Sequence, residues 1–217
     1  MLVEACVDSV DAARIAERAG AGRLELCENL DVGGTTPSPQ LLTAVRAAVR
    51  IPISAMVRPR GGSYVHPRPE VDVMLHQIDE VRALGADMVV VGVLTHAGEI
   101  DLPAVRELVR CAAELPVTFH RAFDDVDDQL AGLDALIDAG VARVLTSGGA
   151  PTAVDGADQL HGLVAHAAGR LVIMAGGRVR PNNARALVAR SGVVEVHARS
   201  ELDESRVRGI VDAMATR

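Results

Sequence analysis

The chain has no lysine and no tryptophan, and its 217 residues include only one tyrosine and two phenylalanines. Each absence removes a class of function. Without lysine, no Schiff base can form on a side-chain amine. All 22 basic residues are arginine, a permanently charged fork that holds carboxylate or phosphate instead of shuttling protons. The net charge is −7, and no basic patch meets an aromatic platform, so no nucleic-acid partner is expected. The apolar runs are too short and interrupted to span a membrane, and no membrane partner is expected either. The opening MLVEACVDS has no basic region ahead of its apolar stretch, which argues against a signal peptide. Three cysteines, an odd number without the spacing of a small disulfide framework, predict free thiols in a reducing, cytoplasmic compartment. No linker or shift in composition divides the chain, so one domain over residues 1–217 is expected.

Aliphatic residues and glycine make up for the missing aromatics. The chain is 49% hydrophobic with a mean hydropathy of +0.22, enough for a large core of Val, Leu, Ile, Ala and Met. Strand-like apolar runs alternate with helix-period segments eight times. The strands read 2–7, 23–27, 52–58, 88–94, 116–121, 143–148, 171–176 and 193–198. Gly20, Gly85, Gly140, Gly169 and Gly192 stand where helices should stop, and Asp8 and Ser38 are candidate N-caps. Eight βα units in this length predict an α/β fold, a single closed (β/α)₈ barrel of the TIM type. An open doubly wound sheet is disfavoured because strand one runs into DSVDAAR, without the Gly-rich dinucleotide turn.

Strand parity then sorts the side chains, since barrel strands alternate between the helix-facing and interior sides. Apolar Val3, Ala5 and Val7 face the helices, which turns Glu4 and Cys6 inward. The same rule sends Glu25 and Cys27 inward from strand two and Glu195 and His197 from strand eight. Strands three, five, six and seven add Ser54, Met56 and Arg58; Thr118 and His120; Ser147; and Met174 and Gly176. The expected result is a polar cluster at the C-terminal rim, where barrel enzymes place their sites. Its members are Glu4, Glu25, Arg58, Arg60, His120, Arg121, Asp124, Ser147, Glu195 and His197. Such a cluster reads either as a site for a small anionic ligand or as an ion-pair network filling the mouth. An enzyme of this design, a lyase, isomerase or hydrolase, would use His120 or a glutamate as acid or base and the Arg58–Arg60 pair as an oxyanion clamp. Gly148, Gly149, Gly176 and Gly177, after strands six and seven, suit either a phosphate cradle or tight turns. The acidic run FDDVDDQL reads as capping plus a solvated first helical turn, and Cys111 falls on a helix facing the core.

The strings EACVDS, RLELCENLDVGGTTPS, MVRPRGG, VTFHRAFD, RVLTSGG, VIMAGG and VEVHARS, in that order and nearly end to end, resemble the CutC copper-homeostasis family. The resemblance implies a (β/α) barrel, a cytoplasmic location, a homo-oligomer and a role in copper tolerance. It also implies Cu(I) binding at the thiols matching Cys6 and Cys27. Two soft thiolates suit Cu(I) better than Zn²⁺, which wants four ligands; His197 is a candidate third ligand. The reading in which both thiols are small buried hydrophobes stays open at this point. The chain departs from the family after RPRGG, where Ser63 and Tyr64 replace an acidic and an aromatic residue and His66 follows.

Overall fold

The computed structural model describes residues 1–199 and 203–215. Ser200 of the VEVHARS string and Thr216, expected at the end of the last helix, lie outside the described residues. Eight parallel strands alternate with eight helices and close in chain order, β1 to β8, with β8 pairing back onto β1. The strands are β1 Leu2–Val7, β2 Arg23–Leu26, β3 Ile53–Met56, β4 Met88–Val91, β5 Val117–Phe119, β6 Arg143–Thr146, β7 Val172–Gly176 and β8 Glu195–Arg199. The helices are α1 Val10–Arg18, α2 Pro39–Ala48, α3 Arg68–Ala83, α4 Leu102–Ala112, α5 Gln129–Asp138, α6 Ala157–Ala167, α7 Ala184–Ser191 and α8 Glu204–Ala215.

Local chemistry explains most boundaries. Ser38 caps α2 through its hydroxyl, as expected, but the cap of α1 is Ser9 and not Asp8. Asp101 and Asp128 cap α4 and α5. Several strands are shorter than the apolar runs that announced them. After Phe119 the chain leaves the ladder and winds into a 3₁₀ turn over Arg121–Asp125, and Arg58 stands two residues past β3. At these points the rim side chains take hydrogen bonds that the ladder would otherwise supply. The FDDVDDQL run is thus divided: Asp124 and Asp125 belong to that turn, and only Asp128 caps the helix.

Two large aliphatic clusters fill the layer between sheet and helices. A separate small cluster of Cys6, Cys27, Met56 and Val90 sits inside the barrel. This division matches the parity expected from the sequence. Glu4 pairs across the sheet with Arg23 on one side and His197 on the other, and Cys6 pairs with Glu25.

Candidate metal centre and barrel mouth

The interior is built in levels along the barrel axis. At the N-terminal end, Arg23 bridges two strands, donating from Nε to Glu4 Oε2 and from Nη2 to Glu195 Oε2, the latter at 2.6 Å. Arg143 closes the other side of Glu195, with contacts at 2.6 and 3.3 Å, and also donates to Thr118 Oγ1. All four charged residues are largely withdrawn from water. Glu195 therefore lies below the mouth, a correction to its expected place at the rim. It begins β8, level with Leu2 and Met174, two residues before His197.

His197 and the thiols occupy the next level. His197 Nδ1 lies 2.9 Å from Glu4 Oε1, and its Nε2 lies 3.7 Å from Glu25 Oε2. The Cys27 thiol donates to Glu25 Oε2 at 3.6 Å. Ligand atoms of Cys6, Glu25 and Cys27 all lie within 4.8 Å of one another, as do those of Glu4, Glu25 and His197. The charges settle by mutual contact. Burial opposes ionisation of Glu4, but the His197 hydrogen bond and the Arg23 charge outweigh it and hold the carboxyl at about 2. A hydrogen bond from Cys27, opposed by burial and reinforced by His197, lowers the Cys6 thiol to about 5. The same contact with Cys6, together with burial, pushes Cys27 well up. Burial above all raises Glu25, against the pull of His197. Burial also opposes charge on His197, but Glu25, Cys6 and Glu4 together raise it well above its usual value. The mutual contacts thus favour charge on Cys6 and His197 and oppose it on Cys27 and Glu25.

Cys27 is fully buried, and Cys6 is the thiol that faces the mouth cavity. The β2–α2 loop covers Cys27 closely: a Cβ on Gly34 would lie 3.2 Å from its sulfur. Arg58 ties that loop down. Its Nη1 donates to the carbonyls of Val32 and Gly34 and its Nη2 to that of Gly62. Arg60 is likewise engaged, with Glu70 and the carbonyls of Gly61, Ser63 and Val65, and it does not line the cavity. The expected Arg58–Arg60 clamp is therefore not assembled; both forks hold loops. His66 pairs with Glu70 at 2.7 Å instead of reaching the cavity.

The cavity above the thiols has a volume of about 420 Å³, with Glu25, Arg58, His120, Arg121, Asp124 and His197 in its lining. Tyr64, on a loop, and Arg199, which continues the inward series of Glu195 and His197 just past the expected end of strand eight, line it as well. His120 is neutral, lowered to about 3 by burial and by the nearby Arg58 and His66 charges. Its ring packs closely against Gly92, where a Cβ would fall 2.1 Å from Cε1. Gly92→Ala is therefore expected to displace the ring and cost about 1–3 kcal/mol, as overpacking does. Urea denaturation measures the cost, and an unchanged midpoint would disprove the contact.

The glycine loops differ from one another. Asp124 Oδ1 accepts from Thr146 Oγ1 at 2.5 Å, Ser147 N at 2.9 Å and Gly149 N at 3.1 Å, while its Oδ2 takes Arg121 Nε at 2.7 Å. The Gly148 amide donates to Thr146 Oγ1. The amides that a phosphate would use after β6 thus already hold a carboxylate of the chain itself. Ser147 donates to the Ala150 carbonyl and accepts from Arg121. The Gly177 carbonyl accepts from Ala153, and a Cβ on Gly176 would meet Leu145 at 2.5 Å, so these two glycines serve close packing.

A parallel (β/α)₈ barrel with a buried thiol, carboxylate and imidazole cluster under its C-terminal mouth defines the class of protein. The CutC family profile matches residues 1–202, and the chain belongs to that family. A mouse protein named copper homeostasis protein cutC homolog is 46% identical over 204 residues, 93% of this chain and 75% of its own length. A Pasteurella multocida CutC family protein is 43% identical over 197 residues, 91% of this chain and 81% of its own. The solved structure of a CutC protein from Streptococcus agalactiae superposes with a TM-score of 0.87 at 32% identity, covering 91% of this chain and 97% of that one. Thiamine phosphate pyrophosphorylase from Pyrococcus furiosus, at 15% identity and a TM-score of 0.69, shares the barrel fold alone.

Proposed function

We propose that the chain binds Cu(I) as cargo through Cys6 and Cys27 beneath the barrel mouth, as a cytoplasmic copper-homeostasis protein. The observation that carries this reading is the convergence of two sulfurs and the Glu25 carboxylate within 4.8 Å, where the neighbours of Cys6 favour its thiolate form. Soft sulfur donors in a dry setting favour Cu(I) over harder divalent ions. Glu25 Oε1 is buried without a hydrogen-bond partner among the described residues, which leaves a carboxylate oxygen beside the thiols free to ligate an ion. His197 Nδ1 is held by Glu4, and a third ligand from this ring would have to be a nitrogen free of a proton. The three cysteines are free, which suits a reducing compartment. Among the described residues no helix is long and apolar enough to cross a membrane.

Titration of the reduced protein with Cu(I) against a competing chelator tests the proposal, with Cys6→Ser and Cys27→Ser variants alongside. The expected result is one tightly held ion per chain, lost in each variant. Stoichiometric binding that survives both substitutions would overturn it.

A further inference from the structure

A single ion at the thiols occupies a small part of a cavity of about 420 Å³. The lining of that cavity also includes two residues with buried donors that meet no acceptor. One donor belongs to His120. The Ala122 amide donates to His120 Nδ1 at 3.1 Å, so Nδ1 is the acceptor nitrogen and the ring proton is on Nε2. Nε2 is buried, and no acceptor among the described residues meets it. The second donor is Arg58 Nε, also buried and unmatched, while both Nη groups of that arginine hold loop carbonyls. Tyr64 joins the two: its ring centroid lies 5.0 Å from that of His120 and 4.8 Å from Arg58 Cζ. All three residues line the cavity. Buried N–H groups are nearly always satisfied, so two orphans on residues of one cavity, both beside Tyr64, point to an oxygen acceptor there.

Charge selects the kind of acceptor. Arg58, Arg121 and Arg199 face the cavity, but Asp124 and Asp125 face it too, and Arg121 is paired with Asp124. The residual field suits one negative charge better than two. The backbone amides of Ser147 and Gly149, the natural seat for a phosphate, are held by Asp124. We propose that the mouth binds a small organic carboxylate, its oxygens accepting from His120 Nε2–H and Arg58 Nε–H. This site is separate from the copper reading and needs no metal.

The test uses the metal-free, reduced protein, so its outcome is independent of any copper result. Acetate, lactate, malonate and succinate are titrated by calorimetry, with inorganic phosphate as comparator. The ring nitrogens of His120 are followed by NMR in the same samples. The expected result is that at least one carboxylate binds more tightly than phosphate and shifts the His120 Nε2–H signal. His120→Phe should weaken that binding about tenfold, the loss of one hydrogen bond to a charged acceptor. Should that variant fail to fold, the wild-type ring signal decides. Absence of binding by all four carboxylates, tighter binding of phosphate, or a His120 signal unmoved by the bound carboxylate would overturn the proposal.

Discussion

Arg23→Met is expected to destabilise the protein by about 3–5 kcal/mol, the usual cost of removing one partner from a buried charge network. Arg23 is 2% exposed and touches Glu4, which is fully buried, and Glu195. Without it, Glu4 keeps only His197 and the weak Ser54 hydroxyl contact as partners. Glu4→Gln combined with Arg23→Met should recover part of the loss, because no unpaired carboxylate then remains at that position. The effect depends on pH with a definite sign. Glu4 is depressed from 4.5 to about 2, so its contribution is present above about pH 4.5 and disappears as the pH falls toward 2. The difference between wild type and Arg23→Met should accordingly be full at neutral pH and shrink below about pH 4.5. Urea unfolding across this range measures it; a neutral-pH difference under about 1 kcal/mol would show that the network is worth far less than its burial indicates.

Asp124→Ala should cost about 3 kcal/mol. It removes a carboxylate accepting from a hydroxyl, two backbone amides and Arg121, where hydrogen bonds to a charged group count for more than neutral ones. It also vacates a concave set of N–H groups suited to an oxyanion. Inorganic phosphate, without effect on the wild type at this loop, should then raise the melting temperature of the variant by mass action. Thermal scans with and without phosphate decide the matter. A variant that melts like the wild type, or one that phosphate does not stabilise, would mean that Asp124 is not the internal occupant of that cradle.

How far the sequence reaches can be judged residue by residue. The eightfold alternation specified the barrel because each strand must bury one side against a helix, and that pattern survives in any correct fold. Parity also placed Glu4, Cys6, Glu25, Cys27 and His197 together, since a period of two leaves no choice of face. The same rule turns Arg23 and Arg143 inward, level with the carboxylates they neutralise. Both arginines stand at the starts of their strands, far from the C-terminal rim where a site is expected. Glu195 was misplaced for a related reason: parity fixes the face, whereas height along the axis depends on the stagger between strands. Loop conformations were less legible still. Nothing in PRGGSY says that both arginine forks close on nearby carbonyls, or that Tyr64 turns back to lie between Arg58 and His120. Gly92 is one glycine among 20 in the sequence; only the close approach of an imidazole shows why a larger residue would not fit.

The Arg23–Glu4–Glu195–Arg143 network has a bearing on traffic through the molecule. It stoppers the barrel beneath the sulfurs, and the loop bearing Gly34 roofs one of them. The chamber is thus a cul-de-sac. A cargo held at Cys6 would share this one cavity with Arg58, Tyr64 and His120, and would leave by the mouth it entered. Donor and recipient of such a cargo would have to take turns at one entrance, and a molecule lodged against His120 would govern both arrival and departure.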